Sequence, residues 1–154
     1  VISFERTSDM ELVRDILTGP ATWPGVCDDF APPQLEFQPN PDPRIWYVAA
    51  IEGTQVVGLF SFLPRSTVLW EVHIALHRKG RRTHGREIAA QGLRWMFDHS
   101  PARRIVAEIP ASNPLAIRLA AAVMEHVGVQ ARAFQKGGRL RDLIVFGLSK
   151  PAEE

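Results

Sequence analysis

The stretch Trp70-Glu71-Val72-His73 sets a carboxylate two residues before an imidazole. Residues two apart on an extended chain project from one face. A strand here would therefore place Glu71 and His73 side by side, with Ala75 next to them. Such a pair on an otherwise apolar strand suits proton handling, because imidazole titrates near neutrality. The structural alternative is that Glu71 pairs with an arginine while His73 fills a polar gap in a sheet. Just downstream, residues 77–86 carry five Lys/Arg and two glycines, with no acid before Glu87. Positive charge and backbone freedom at the mouth of a helical-looking run fit an anionic ligand held by amides and a helix N-terminus. The alternative there is a solvated basic turn.

These residues need elements to position them. "VISFERTS" alternates as an edge strand would, and Ser8 or Asp9 can cap a short helix through Leu17, ended by Gly19-Pro20. Residues 19–44 hold seven of the twelve prolines, so they form a long irregular connection of the kind that often covers a site. "RIWYVAAIEG" and "TQVVGLFSFLP" read as two strands joined at Glu52-Gly53-Thr54, an antiparallel hairpin. "TVLWEVHIAL" is a third β-rich run. Ile88, Ala89, Gly92, Leu93, Trp95 and Met96 then recur at helical spacing. "RRIVAEIP" is a strand. Ser112 or Asn113 caps "PLAIRLAAAVMEHVG", with Pro114 at its first position and Gly128 as its stop. "VQARAF", a Lys136-Gly137-Gly138 turn and "LRDLIVFGLS" make a closing hairpin. That order predicts a mixed α/β domain over residues 1–150, with a tail at 151–154.

Composition narrows the classes. With 45% apolar and 23% charged residues, the chain is that of an ordinary globular domain. A single cysteine, Cys27, excludes an intrachain disulfide and has no recognisable nucleophile partner. The longest apolar stretch, 56–63, is too short for a membrane span. A soluble cytoplasmic protein is the expectation. Residues 1–44 contain eight acids against three Lys/Arg, and residues 45–154 nine against fifteen. This asymmetry favours an anionic ligand on the second part over a uniformly basic nucleic-acid surface. His73, His77 and His84 lack a metal-ligand spacing, so no metal is expected.

In element order, and in "VLWEVHIAL", the basic turn, "SNPLAIRLAAAVMEHVGV" and "AFQKGGRLRDLIVFGL", the chain resembles the Gcn5-related N-acetyltransferases (GNAT). "DDF", "EVHIAL" and "RWMF" further resemble GNAT-like proteins of phages and prophages. The resemblance implies a twisted mixed sheet of about seven strands, splayed in the middle and flanked by about four helices. It implies acetyl-CoA as co-substrate and acetyl transfer to a primary amine of a small molecule or protein. Glu71 then stands where many relatives carry a general base, and His73 shares that role. Main-chain groups near Ile74 and Leu76 would hold the pantetheine arm. The segment Arg81, Arg82, Thr83, His84, Gly85 and Arg86 would cradle the pyrophosphate, and Asn113 would contact CoA or simply cap its helix. Trp23, Asp28, Asp29 and Phe30 would border the acceptor, the acids suiting a cationic amine.

The chain departs from the family pattern in two respects: the basic segment matches Gln/Arg-x-x-Gly-x-Gly/Ala in no register, with Thr83 where the first glycine belongs, and a helix tyrosine is missing. The helix position where many relatives carry a tyrosine acid falls on Ala120 or Met124, leaving His126 as a stand-in or as a partner of the helix dipole. The competing classes are a non-catalytic binding or virion-assembly protein and an acyltransferase acting on a modified nucleobase. The expected partners are acetyl-CoA, an amine acceptor and a second copy in a homodimer. Neither a membrane nor a nucleic acid is expected among them.

Overall fold

The computed structural model describes the backbone of residues 1–152 and their side chains except those of Val26 and residues 78–83. The elements run β1 (Ile2–Thr7), α1 (Met10–Leu17), α2 (Trp23–Val26), a 3-10 turn (Gln34–Glu36), β2 (Trp46–Glu52), β3 (Gln55–Pro64), β4 (Leu69–Leu76), α3 (Arg78–His99), β5 (Arg104–Pro110), α4 (Pro114–Val123), β6 (Glu125–Lys136) and β7 (Arg139–Ser149). The expected order and the mixed α/β class hold.

Local chemistry sets most of these boundaries. The Asp9 carboxylate accepts from the Leu12 amide and starts α1. Asn113 does the same for α4 through Ala116, with Pro114 at the first helical position. Gly137 and Gly138, both at positive φ, make the two-residue turn between β6 and β7 that only such residues adopt cheaply.

Two expectations at the helices are corrected. The helix from Pro114 ends at Val123 rather than at Gly128, and the chain enters β6 at Glu125. The β-rich sequence Val127-Gly128-Val129 pairs with β7 from Glu125↔Gly147 onward, and this long-range ladder overrides the helical reading of residues 124–127. Gly128 lies at a register shift in that ladder. His126 is therefore on a strand, its ring edge-on to Phe146, and is not a helix-dipole partner. The second correction is at the basic segment. Helix α3 already begins at Arg78, and it breaks at His84, whose φ of −137° and ψ of 17° leave the helical region.

The strands form one sheet in the order β1-β2-β3-β4-β5-β7-β6. Every neighbouring pair is antiparallel except β4–β5. That parallel join lasts only from Leu69↔Arg104 to Glu71↔Val106, although β4 runs on to Leu76 and β5 to Pro110. The sheet is therefore forked at its centre. Helices α3 and α4 pack on one face, where Phe60, Phe62, Ile88, Leu93, Met96 and Ile105 are fully buried. Helix α1 covers the other face of the β2–β3 half with Val13 against Tyr47 and Leu59.

Gly92 is where α3 comes closest to the sheet. A Cβ there would collide with the Phe60 ring, which is itself fully buried. Gly92→Ala would gain up to ~1 kcal/mol of helix propensity yet overpack a filled core at about 1–3 kcal/mol. A net loss is expected, read as a lower urea midpoint at unchanged slope. A raised midpoint would mean that the ring can move aside.

Candidate active site

The fork creates a cleft of about 1020 Å³. Its direction follows from strand alternation. The His77 amide donates to Val57 on the β3 side at 2.8 Å, and Val68 O accepts from Arg104 on the β5 side. Main-chain groups alternate along a strand, so those of Val72, Ile74 and Leu76 face the gap that β5 no longer fills. An open strand edge in the middle of a sheet is normally a liability. Here it is a row of donors and acceptors for an extended ligand.

On the α3 face, the cleft is lined by Gly85 and Arg86, at the start of the second helical stretch of α3, and by Asn113 and several α4 side chains. A Cβ on Gly85 would sit 3.5 Å from Leu76 and 3.9 Å from Leu119, which is ordinary contact. His84 is exposed and lies 3.8 Å from the Glu87 carboxylate, and it does not line the cleft. The side chains of Arg81, Arg82 and Thr83 lie outside the described residues. Asn113 spends its oxygen on the α4 cap, and its amide nitrogen would be 2.9 Å from a Cβ on Gly25, so the short helix α2 closes tightly over it.

On the opposite face, Glu71 and His73 do project side by side. His73 Nε2 lies 3.0 Å from Glu71 Oε2. The other Glu71 oxygen accepts from the Arg65 guanidinium, which also donates to Glu108 Oε1 at 2.6 Å. Both functional and structural readings of the pair thus meet in one cluster. Glu71 is the last β4 residue with a β5 partner, and Glu108 is two residues past the end of that pairing. Arg65 therefore staples the two strands at the point where they part.

The hydrogen bond from His73 is the main cause holding the Glu71 carboxyl below its ordinary 4.5, opposed by burial and reinforced by Arg65. An ionised carboxylate only accepts, so Nε2 carries the proton and donates. This leaves Nδ1 as the imidazole's free acceptor. The side chain of His73 is 47% exposed, and it lines the cleft.

The residues expected to form an acidic wall are not among those lining this cleft. The cleft is bordered by Pro20, Ala21, Thr22, Pro24 and Gly25, and Trp23, Asp28, Asp29 and Phe30 are not among its lining. Trp23 packs edge-on against Phe37, and Phe30 is 84% exposed. Asp28 caps its own loop at the Phe30 amide. Asp29 accepts from the Gly137 and Gly138 amides at 2.7 and 2.9 Å, and these bonds lower its pKa. Together with the bond from Lys136 Nζ to Pro24 O, this ties the proline-rich connection to the β6–β7 turn. Asp29 holds the covering loop in place.

Among the described residues, no tyrosine lines the cleft. Tyr47 donates its hydroxyl to Asn40 O at 2.8 Å, while Ala120 and Met124 line the cleft where a tyrosine was sought. Sequence reading missed Arg65 and Glu108, which sit in an ordinary turn and on a strand. It also missed Phe134, Lys136, Arg141 and Leu143 of the closing hairpin, which reach the cleft.

A mixed seven-stranded sheet forked between its fourth and fifth strands, flanked by four helices, matches the GNAT fold. The chain belongs to the acetyltransferase (GNAT) family, whose profile matches residues 10–124. Among solved structures it is similar to a protein assigned as a phosphinothricin N-acetyltransferase (17% identity, 97% of this chain and 98% of that one, TM-score 0.71). It is similar to yncA of Salmonella typhimurium, assigned as an acetyltransferase and solved with its cofactor acetyl-CoA (16%, 100% and 96%, 0.70). It also resembles a point mutant of the spermidine N-acetyltransferase SpeG from Vibrio cholerae (12%, 96% and 93%, 0.73). No curated protein matches the chain. Among the described residues no helix is long and apolar enough to cross a membrane.

The lowered Glu71 value makes a prediction about acid. Its contribution to stability is fully present above the ordinary carboxyl value and is lost as pH falls through the lower folded value. The urea midpoint should drop as the pH is taken below 4.5, the ordinary value, and Glu71→Gln should flatten that drop. Identical pH dependence in the variant would show that the fold does not favour the ionised form.

Proposed function

We propose that this enzyme transfers the acetyl group of acetyl-CoA to the primary amine of a small molecule, with His73 as general base. The observation that carries the reading is the Arg65–Glu71–His73 chain of contacts at the fork, facing a cleft that passes from the α3 face to the opposite face. An amine must lose a proton to become acylated. Nδ1 of His73 takes that proton, while Glu71 fixes the tautomer and stabilises the imidazolium that results. The nitrogen–acyl bond forms as the acyl–sulfur bond breaks. Acetyl-CoA supplies an activated acyl group whose thiolate leaves without needing a strong acid, which is compatible with a cleft that holds no tyrosine.

The chain's other contributions are positional. Main-chain groups of Ile74 and Leu76 receive the extended arm, Arg86 meets phosphate charge, and Asn113 borders the same channel. The neighbours whose names specify an acceptor, phosphinothricin and spermidine, act on small amines. That supports the size class and not the identity of the acceptor. Titration calorimetry tests the co-substrate directly: micromolar acetyl-CoA binding is expected, and no binding at millimolar ligand would point to a non-catalytic role for the fold.

His73→Gln should lower kcat about a hundredfold or more, with acetyl-CoA affinity unchanged. Glu71→Gln should also lower kcat while leaving acetyl-CoA affinity unchanged, because no carboxylate then fixes the tautomer of His73. A wild-type rate in the His73 variant would place the base elsewhere.

A further inference from the structure

Arg141 stands on β7 opposite Phe134, on the same face of the sheet as Glu108, and lines the cleft with Phe134 and Leu143. Its Nε is buried and has no hydrogen-bond partner among the described residues. Buried donors are nearly always paired, and leaving one unpaired costs as much as a lost hydrogen bond. The other charged groups nearby are already committed. Glu71 and Glu108 are both bound by Arg65, and Lys136 donates to Pro24 O. The wall of the cleft therefore includes a guanidinium whose Nε–H is closed to solvent and unmet, beside apolar Phe134, Leu143 and Pro20.

We propose that Arg141 is the anion-recognising residue of the acceptor pocket and that the acceptor is an amine that also carries a carboxylate, an amino-acid-like molecule. This rests on the acetyltransferase reading above and narrows its acceptor. Guanidinium pairs with a carboxylate through two parallel N–H donors, which fixes orientation as well as affinity. Held that way, the acceptor has its amine free to turn toward His73 and its apolar side chain toward Phe134 and Leu143. A polyamine would meet the Arg141 cation here, and a mid-chain lysine of a protein carries no adjacent carboxylate.

The test pairs each amino acid with its decarboxylated amine: leucine with isoamylamine, phenylalanine with phenethylamine, methionine with 3-(methylthio)propylamine. CoA release is followed for the wild type and for Arg141→Met, with acetyl-CoA binding measured separately by calorimetry. The expected result is kcat/KM at least about tenfold higher for at least one amino acid than for its amine, a difference of about 1.4 kcal/mol. Arg141→Met should erase that preference mainly through KM, leaving acetyl-CoA affinity intact. Equal or reversed preference overturns the proposal, as does a preference that survives in Arg141→Met. Turnover of none of the six compounds by a protein that binds acetyl-CoA overturns it too. Failure to bind acetyl-CoA at all would instead sink the transferase reading beneath it.

Discussion

The parallel join between β4 and β5 is held for three residues and then released, and the site depends on that release. Each strand keeps its antiparallel neighbour to the end, β4 with β3 as far as Leu76 and β5 with β7 as far as Pro110. The two halves of the sheet are thus complete by themselves, and the interior edges beyond Glu71 and Val106 have no strand to pair with. Burying unpaired peptide groups is costly. A forked sheet is stable because those groups face a cleft wide enough to admit solvent or an extended ligand.

Arg65 sits at the tip of the fork. By holding Glu71 and Glu108 together it offsets the repulsion of two carboxylates and fixes the angle at which the strands part. The same contact adds to the larger effect of the His73 hydrogen bond in favouring the ionised Glu71, which in turn orients His73. One guanidinium therefore links the architecture of the sheet to the protonation state of its candidate base. Breaking such a half-buried network leaves charges without partners, which is more damaging than the modest net value of the intact network suggests.

The covering connection follows a similar logic. Its proline content limits helix and sheet, and it is placed by a few polar ties: the Asp29 carboxylate on two glycine amides, the Asp29 amide on Gln135 O, and Lys136 on Pro24 O. These ties set Pro20–Gly25 over the cleft, and they use the acid that a reading of charge alone would assign to a cationic ligand. Arg141 and the apolar Phe134 and Leu143 remain in the cleft lining.

The sequence by itself determined the elements, because their signals are local. Asp9 and Asn113 cap helices within three residues of themselves, Gly137-Gly138 dictates a two-residue turn, and period-two spacing puts Glu71 and His73 on one face whatever the fold. Family membership was legible for the same reason, being carried by the order of those elements. Tertiary structure alone decided which charges meet. Arg65 and Glu108 lie 43 residues apart, Asp29 and Gly138 lie 109 apart, and no periodicity links either pair. The end of α4 was decided the same way, since residues 124–127 are compatible with helix until β7 offers a ladder. Arg141 is one of fifteen Lys/Arg in the second part of the chain. Only the register of β7 against β5 and β6 singles it out, by turning it inward and leaving its Nε–H unmatched.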